Sequence, residues 1–317
     1  MAGLGFQRKS MLSSSLVSLV IFSLSQLSIA MVPRFLPWLS LLGMLPVSGL
    51  VLLASLGFGR FFRRLLGVSQ SAPAMVVFHL LFLWGVYVVM IREAVPSLLD
   101  ATINAEFGLL LFGLYRILSG DPGLVANDSS SALHSRNGLP ESNIYENSSM
   151  FSRVRYCKIC KTSVRGFDHH CSAFGNCIGQ KNQRLFMMLL VGFIIAEASY
   201  IISSTQYIAK SLSTDKIGFK NDIPGNVVIS TLLFAVLQLL WQVVFLIWNI
   251  YCICANIKTD EWINWKKYPE FQLVVQSQPG NSSEVRFSNP YDKGIISNIK
   301  DFINPMEYSL HVIHVLS

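Results

Sequence analysis

Residues Arg155–Phe186 read RYCKICKTSVRGFDHHCSAFGNCIGQKNQRLF, and the rest of the chain is organised around this stretch. Four of the six cysteines lie in it, beside the Asp-His-His-Cys tetrad Asp168–Cys171, and both flanks turn strongly apolar. Six cysteines in 317 residues are too few for a disulfide framework. A dense Cys/His cluster is instead typical of metal ligation in a reducing compartment. The stretch therefore predicts a metal-organised domain facing the cytosol.

The composition outside this stretch is that of a polytopic membrane protein. Charged residues make up 14% of the chain, against about 25% in soluble domains, and the mean hydropathy is +0.47. Several segments must therefore face lipid. The formal net charge of +7 does not indicate nucleic-acid binding. Lysines and arginines cluster at the ends of apolar runs, which is the pattern that sets membrane topology.

Six apolar stretches are long enough to span a bilayer. They are Met11–Val32, Leu36–Phe58, Ala74–Ile91, Val95–Leu118, Leu185–Ile208 and Asn226–Ile257. An alternative with four spans leaves the weak N-terminal pair on or outside the bilayer. The first stretch also resembles a signal peptide, because Arg8-Lys9 precedes it and the small-residue site Ser28-Ile29-Ala30 lies near its end.

The predicted fold class is an all-α polytopic membrane protein with about six transmembrane helices and a small zinc-bound cytosolic cysteine-rich domain between the last two pairs. We expect five parts along the chain. These are N-terminal transmembrane helices (about four spans, 1–120), a cytosolic linker (121–150), the cysteine-rich zinc domain (151–184), two transmembrane helices (185–257) and a cytosolic C-terminal tail (258–317).

The polar residues inside and between the spans also predict how the spans are arranged in the membrane. Pro37 and Pro46 are expected to kink the second span, and the following loop, Gly59–Pro73, carries a triple-arginine signal of a cytosolic face. In lipid, charged groups are costly, so we expect the polar side chains of the third and fourth spans to face the bundle interior. The residues concerned are Arg60, Arg63 and Arg64 in the loop, and His79, Asp100, Asn104 and Glu106 in the spans. All three N-x-S sequons, at Asn127, Asn147 and Asn281, fall on the predicted cytosolic side and should carry no glycan.

Zinc takes four tetrahedral N or S ligands, and the C-x2-C pair Cys157 and Cys160 supplies two of them. The others must come from His169, His170, Cys171 and Cys177. Neighbouring residues of an extended segment point to opposite sides, so one histidine can ligate while the other does not. Spacing leaves two partitions open. If Cys171 ligates, the site is a closed structural finger; if it does not, Cys171 is a free thiol beside His169 and Asp168 that an adjacent imidazole can activate.

The tetrad, with Asn176-Cys177-Ile178-Gly179 and Asn182 after it, closely resembles the DHHC cysteine-rich domain of protein S-acyltransferases, or palmitoyltransferases. Asp121-Pro122-Gly123 matches a motif that precedes this domain in the family. Lys258-Thr259-Asp260-Glu261 is a partial Thr-Thr-x-Glu motif that has lost its first Thr. Asn289-Pro290-Tyr291-Asp292-x-Gly294, continuing to Asn298, resembles the C-terminal motif in which an Asn anchors the tail.

The resemblance implies that Cys171 is the nucleophile, His169 the base and Asp168 the group that orients it. It also implies that Cys157, Cys160, His170 and Cys177 form one zinc shell. The family normally has a second shell, but Tyr156 and Ser163 stand where its His and last Cys belong and no upstream C-x-x-C exists, so we expect one structural zinc. Ser172-Ala173 replaces the usual Pro-Trp, which bears on acyl-CoA handling.

The function that the resemblance implies is transfer of a palmitoyl-type group from long-chain acyl-CoA to membrane-proximal cysteines of protein substrates. The expected location is an endomembrane, Golgi or ER, or the plasma membrane or vesicles, with a cytosolic active site and no nucleic-acid partner. A catalytically impaired family member acting as a scaffold, and a transporter or channel with a zinc knuckle, are the alternatives. Cys252 and Cys254, at the end of the sixth span, are expected to be small buried hydrophobic residues, with acylation as the other reading.

Overall fold

The computed structural model of the chain describes residues 2–69, 71–125, 153–214, 222–275 and 284–304, with the side chains of 2–11, 214 and 275 left out. Most of the predicted linker and the three sequons, at Asn127, Asn147 and Asn281, lie outside the described residues.

Helices make up most of the described chain. They are α1 (Ala2–Phe35), α2 (Leu41–Leu66), α3 (Ala72–Val86), α4 (Ser97–Ser119), α5 (Gln183–Thr214), α6 (Ile223–Cys254), α7 (Thr259–Asn264) and α8 (Ile295–Ile303). A π turn (Tyr87–Ile91) and a 3₁₀ turn (Arg92–Ala94) extend α3, and two more 3₁₀ turns follow α7, at Trp265–Lys267 and Pro269–Phe271.

Among the described residues, six helices are long and apolar enough to cross a membrane. The candidate spans are Leu12–Phe35, Leu41–Leu66, Ala72–Ala94, Ser97–Ser119, Gln183–Ser213 and Ile223–Cys254. Only 11% to 44% of each apolar window is buried within the protein, so most of this surface needs lipid around it. Helices satisfy their own backbone hydrogen bonds, which a bilayer core requires. The predicted polytopic helical fold is confirmed.

The end of the second span differs from the prediction. Helix α2 runs on to Leu66, so Arg60, Arg63 and Arg64 lie in its last turns and not in a loop. Gly67 stops it in the left-handed conformation at φ 63° and donates its N–H to the carbonyls of Arg63 and Arg64. The helix continues because arginine is a good helix former and favours the negative end of the helix dipole. Pro37 lies before α2 and so cannot kink it, whereas Pro46 lies inside it.

The chain divides into two compact units. The first comprises residues 1–118, 172–175 and 188–245 and holds most of the apolar helices. Helices α4 and α5 approach closely there at two glycines: a Cβ at Gly113 would lie 2.5 Å from the Leu189 side chain, and one at Gly192 would lie 3.0 Å from Leu110. Small residues allow such approaches between helices in lipid, where packing drives association.

Polar side chains of the first unit pair with one another, although the Arg92 side chain is itself 54% exposed. The Tyr87 hydroxyl and the Arg92 Nε donate to the two oxygens of Asp100 at 3.0 and 3.1 Å, and the Trp84 indole donates to Asn104 at 3.0 Å. Other pairs link side chains of different helices. Ser199 donates to Glu106 at 3.3 Å, and buried His79 Nε2 lies 2.6 Å from Glu197 Oε1.

The second unit comprises residues 119–171, 176–187 and 246–317 and contains the cysteine-rich domain. Short antiparallel strands, which the sequence did not predict, build its framework. They are β1 (Leu124–Val125), β2 (Val154–Cys157), β3 (Thr162–Arg165), β4 (His169–Cys171), β5 (Asn176–Ile178), β6 (Gln272–Val275) and β7 (Glu284–Phe287). The first three form a sheet in the order β1-β3-β2, while β4-β5 and β6-β7 are two-stranded.

Candidate functional site

The site is built on the hairpin of β4 and β5. In this antiparallel pair His170 lies opposite Cys177, and His169 lies opposite Ile178. Residues opposite each other share a face, and successive residues of one strand alternate faces. The strand therefore places His170 and Cys177 on one face, and His169 and Cys171 on the other.

The four predicted metal ligands come together. In the described part of the chain, Cys157, Cys160, His170 and Cys177 are the one group of Cys, His or acidic residues close enough to hold a metal ion, with all four ligand atoms within 4.8 Å of one another. His170 Nδ1 lies 3.3 Å from Cys160 Sγ and 3.8 Å from both Cys157 Sγ and Cys177 Sγ. The sulfurs of Cys177 and Cys160 are 3.5 Å apart.

These separations fit zinc. Zn–S bonds of about 2.3 Å in a tetrahedron place the sulfurs about 3.8 Å from one another. Three thiols and one imidazole are also the donor set that zinc favours in structural sites. The backbone N–H of Cys160 points at Cys157 Sγ, 3.4 Å away, where it can stabilise a thiolate. The donor set and its spacing thus suit one zinc ion held by this shell.

Cys171 is not part of the four-residue shell; it lies with His169 and Asp168. Asp168 is 1% exposed, and its Oδ2 lies 2.6 Å from His169 Nδ1. A carboxylate only accepts hydrogen bonds, so Nδ1 must carry the hydrogen, and the lone pair of the neutral ring is then on Nε2. Phe186 packs against the edge of the same imidazole, with ring centroids 5.4 Å apart. The imidazole is thus fixed in tautomer and orientation.

The electrostatics of this trio favour a proton on the imidazole. Burial on its own would lower the pKa of His169, but hydrogen bonds to Asp168 and Cys171, with their negative charge, outweigh it and raise that pKa to about 9. Burial would raise the pKa of Asp168, yet the hydrogen bond and charge of His169 leave it below its usual value. The three groups therefore resemble the acid, base and nucleophile of a triad.

The segment after α6 holds Asp168 in place. The backbone N–H of Thr259 donates to Asp168 Oδ1 at 3.1 Å, and the N–H of Asp260 donates to the Asp168 carbonyl at 2.9 Å. Both oxygens of the Asp168 side chain are therefore occupied. Lys258, which stands in place of the family's first Thr, donates its Nζ to Gln183 at 2.5 Å, and its backbone N–H donates to Glu261 at 2.9 Å.

The Asp-Pro-Gly motif ties β1 to the rest of the cysteine-rich domain. Asp121 Oδ1 accepts the N–H groups of Gly123 and Leu124, both at 2.8 Å, and Asp121 Oδ2 pairs with Lys181 Nζ at 2.7 Å. Burial would raise the pKa of Asp121, but these partners lower it to about 2. Gly179 packs beneath this turn: a Cβ there would lie 2.5 Å from the Pro122 carbonyl oxygen, so no other residue fits.

The C-terminal motif closes the end of α6. Asn298 is 1% exposed, and its amide donates to the carbonyl of Cys254 at 2.7 Å. Asn289 donates to the carbonyl of Ala255 at 2.6 Å. The last carbonyls of a helix lack partners within it, so these side chains satisfy groups that would otherwise be unpaired. Cys252 is buried in a cluster with Phe271, as expected of a small hydrophobic residue.

Two arginines next to the missing zinc shell fasten β2 to the C-terminal tail. Arg153 bonds Asn256 through Nη1 and Nη2, pairs with both oxygens of buried Glu261, and stacks over the Tyr291 ring at 3.9 Å.

Arg155 pairs with Glu270 Oε1 through Nη2 and stacks over the Tyr268 ring at 4.2 Å. Tyr156, which follows Arg155 on β2, lies opposite Ser163 on β3, and the family resemblance places two ligands of the absent shell at these positions.

Sequence reasoning missed several of these residues. In the sequence alone, Arg153 and Arg155 cannot be told apart from other basic residues, because their partners Glu261 and Glu270 lie more than 100 positions away. Glu197 was likewise missed, although a charged residue inside an apolar span is itself a signal of an interior partner.

Comparison with known proteins agrees with the motifs. Residues 144–266 match the family described as DHHC palmitoyltransferase. Palmitoyltransferase ZDHHC17 of Mus musculus is 30% identical over 158 residues, covering 47% of this chain and 24% of that protein. Palmitoyltransferase Hip14 of Drosophila melanogaster is 31% identical over 158 residues, covering 48% and 23%.

A plant relative matches a similar length of this chain. Probable protein S-acyltransferase 6 of Arabidopsis thaliana is 27% identical over 156 residues, covering 49% of this chain and 34% of that protein. The match thus spans about a quarter to a third of these relatives' own length. The predicted resemblance to DHHC-type S-acyltransferases is confirmed.

Proposed function

We propose that this chain, which carries a DHHC palmitoyltransferase domain, is an integral-membrane protein S-acyltransferase. It moves a palmitoyl-type acyl group from acyl-CoA, through a thioester on Cys171, onto cysteine side chains of membrane-associated proteins. The observation that carries this proposal is the alternation along β4, which puts His169 and Cys171 on the face opposite the metal ligand His170, with Asp168 2.6 Å from the base.

In the first half-reaction, His169 Nε2 takes the thiol proton of Cys171. The thiolate attacks the carbonyl carbon of the acyl-CoA thioester, and the C–S bond to CoA breaks. The CoA thiolate leaves with the proton held by His169. Asp168 keeps Nδ1 protonated and stabilises the imidazolium that forms between these events.

In the second half-reaction, a substrate cysteine loses its proton to the same imidazole. Its thiolate attacks the acyl carbon, the bond to Cys171 Sγ breaks, and the Cys171 thiolate recovers a proton from His169. The product is a new thioester on the substrate protein, and the enzyme returns to its starting state.

Zinc has a structural role in this proposal. Cys157, Cys160, His170 and Cys177 would hold one ion, whose coordination ties the β2–β3 turn to the β4–β5 hairpin. Fixing His170 in this way also fixes the backbone of its neighbours His169 and Cys171. Structural zinc sites stabilise small folds that lack a large core of their own.

The bilayer supplies the setting for the acyl chain. We place the chain of acyl-CoA among the apolar helices, where burial gains about 0.8 kcal/mol for each CH₂ group. The active site is assigned to the cytosolic face of an endomembrane, because acyl-CoA and reduced thiols are both available there.

A catalytically impaired scaffold is the second candidate function. It is favoured by Ser172-Ala173, which replaces the family's Pro-Trp directly after the nucleophile, and by Tyr156 and Ser163 at positions of the second zinc shell. The trio of Asp168, His169 and Cys171 argues against it. A transporter with a zinc knuckle explains none of the contacts around Asp168.

The test is incubation of the purified full-length protein with a palmitoyl-CoA analogue, followed by detection of covalent label. Wild type should acquire a label that hydroxylamine removes, and Cys171→Ser should acquire none. Cys254→Ser is the matched control, because this half-buried cysteine lies outside the trio and should leave labelling unchanged. Asp168→Asn should fold but acquire label at least about 100-fold more slowly, since the imidazole loses its fixed tautomer.

Folded, zinc-loaded wild type that stays unlabelled would instead favour the scaffold. A label that persists in Cys171→Ser and disappears in Cys254→Ser would assign the acylation to the end of α6 and refute the mechanism.

A further inference from the structure

A pocket lined by basic side chains lies at the end of α2. It has a volume of about 420 Å³ and is lined by Arg60, Arg63, Arg64, Gly67 and Val68. The left-handed turn at Gly67 shapes it, because the N–H of Val68 returns to the carbonyl of Arg63 at 3.1 Å and fixes the chain across the last helical turn. Three arginines therefore border one open cavity.

None of the three arginines has an acid or hydrogen-bond acceptor among the side chains that the structure describes. Arg63 Nε is buried and has no partner. A buried donor left unpaired is costly, and three like charges around one cavity repel each other. Setting membrane topology requires only that arginines lie near the end of a span, so it does not explain why Arg63 Nε is buried without an acceptor. Three arginines that share one cavity are suited to bind an anion.

The pocket lies at the depth of lipid headgroups. A helix of 26 residues, as α2 is, is about 39 Å long at about 1.5 Å per residue, whereas the hydrocarbon core is about 30 Å thick. The part of α2 before Gly59 is uncharged and fills that core. The last turns, which carry the arginines, therefore extend into the headgroup region.

Exposed apolar side chains flank the pocket. Phe58, Phe61, Leu65 and Leu66 are each between 60% and 68% exposed. An apolar border around a cationic pocket suits a molecule that has both an anionic head and acyl chains. A soluble phosphate would gain nothing from this border.

We propose that this pocket binds the headgroup of a multiply phosphorylated membrane lipid. The guanidinium forks of Arg60, Arg63 and Arg64 take the phosphate oxygens, and buried Arg63 Nε gains the acceptor that it lacks. The acyl chains of the lipid lie against the apolar side chains of the last turns of α2. The proposal is independent of acyl transfer, since none of these residues belongs to the catalytic trio or the zinc shell.

Binding is measured by thermophoresis of the purified full-length protein with a short-chain phosphatidylinositol bisphosphate. Each arginine near a membrane surface contributes about fivefold, so replacing all three by Gln should weaken binding about 100-fold. Arg116→Gln is the matched control, because Arg116 is a single exposed arginine in the last turn of another span, α4, and its loss should leave binding unchanged.

Thermal unfolding and gel filtration check the fold of each variant. If the triple variant does not fold, Arg60→Gln with Arg64→Gln carries the test, since both side chains are exposed, and the expected loss is about 25-fold.

Two competitors distinguish the sources of phosphate. Soluble inositol trisphosphate should bind at least tenfold more weakly than the short-chain lipid; equal binding would overturn the lipid assignment. Displacement of the lipid by CoA would also overturn it, because the pocket would then serve the acyl donor. Unchanged lipid affinity in the folded arginine variants, or an equal loss in Arg116→Gln, would refute the site.

Discussion

Replacing Arg153 by Met tests how the cysteine-rich domain is held in place without a second zinc shell. The Arg153 side chain is 13% exposed and its partner Glu261 is 1% exposed, so the ion pair lies almost wholly out of water. The same guanidinium donates to Asn256 Oδ1 at 2.8 Å and to the Asn256 carbonyl at 2.9 Å. Methionine fills a similar volume but supplies none of these donors.

The expected cost follows from the charge left behind. Glu261 would keep the backbone N–H of Lys258 as a partner but would lose its counter-ion inside the protein. Removing one partner of a buried ion pair destabilises a protein by about 3–5 kcal/mol. A loss of about 3 kcal/mol corresponds to a factor of about 150 in the equilibrium between closed and locally open states. Because Arg153 directly precedes β2, the opening should include β2 and β3.

Hydrogen exchange of the purified protein, followed by mass spectrometry, measures this opening. Peptides covering Val154–Arg165 should exchange about 100-fold faster in Arg153→Met than in wild type, while peptides from α4 should not change. The matched control is Arg286→Met, which breaks an ion pair with Glu284 whose side chains are 63% and 60% exposed. Exposed pairs contribute about 0–1 kcal/mol, so this variant should leave β2 and β3 unaffected. Exchange of β2 and β3 that rises less than fivefold, or equally in both variants, would refute the clamp.

Three further predictions concern the zinc content, the backbone at Gly179 and the Asn298 side chain that anchors the C-terminal tail. Purified protein should contain one zinc per chain by elemental analysis and Cys160→Ser much less, whereas two zinc ions in wild type would show the assigned shell to be incomplete. Gly179→Ala should destabilise the protein, because its Cβ would lie 2.5 Å from a carbonyl oxygen. The control Gly57→Ala should be neutral or slightly stabilising, because its Cβ meets nothing within 4 Å. Thermal unfolding measures the difference between the two variants. Asn298→Ala should cost about 1–3 kcal/mol by leaving the Cys254 carbonyl buried and unpaired, seen as faster exchange at the end of α6; unchanged exchange there would show that the anchor is dispensable.

The helices of the spans and the grouping of the four metal donors could be predicted from the sequence. Apolar length identifies a span without any knowledge of its neighbours, because each helix satisfies its own backbone in lipid. The partition of the Cys/His cluster followed from local order too. His169 and His170 are adjacent on one strand, so their side chains must diverge, and spacing with the family resemblance indicated which one joins Cys157 and Cys160.

The end of α2 and the partners of Arg153 could not be predicted in this way. Hydropathy falls at Gly59 and Arg60, but a helix does not end where hydropathy falls; it ends where a residue such as Gly67 can adopt a left-handed conformation. The pairing of Arg153 with Glu261 joins residues 108 positions apart, and no periodicity in either segment records it. Such contacts depend on tertiary structure.

The arginine clamps give a physical reason why β2 and β3 can hold their position without the zinc ligands that the family resemblance places at Tyr156 and Ser163. A second zinc would fix β2 and β3 through residues at the positions of Tyr156 and Ser163, but Tyr156 is 57% exposed and these side chains offer no thiolate or imidazole. Arg153 and Arg155 precede Tyr156 and attach the same strand to Glu261 and Glu270 by buried ion pairs. A buried pair with several hydrogen bonds fixes geometry even where its net stabilisation is modest. Glu261 lies in α7, and Thr259 and Asp260 at the start of the same helix bond Asp168. The clamp and Asp168 therefore share one support. If Asp168 has the proposed catalytic role, a loss of the clamp should appear in acyl transfer as well as in hydrogen exchange.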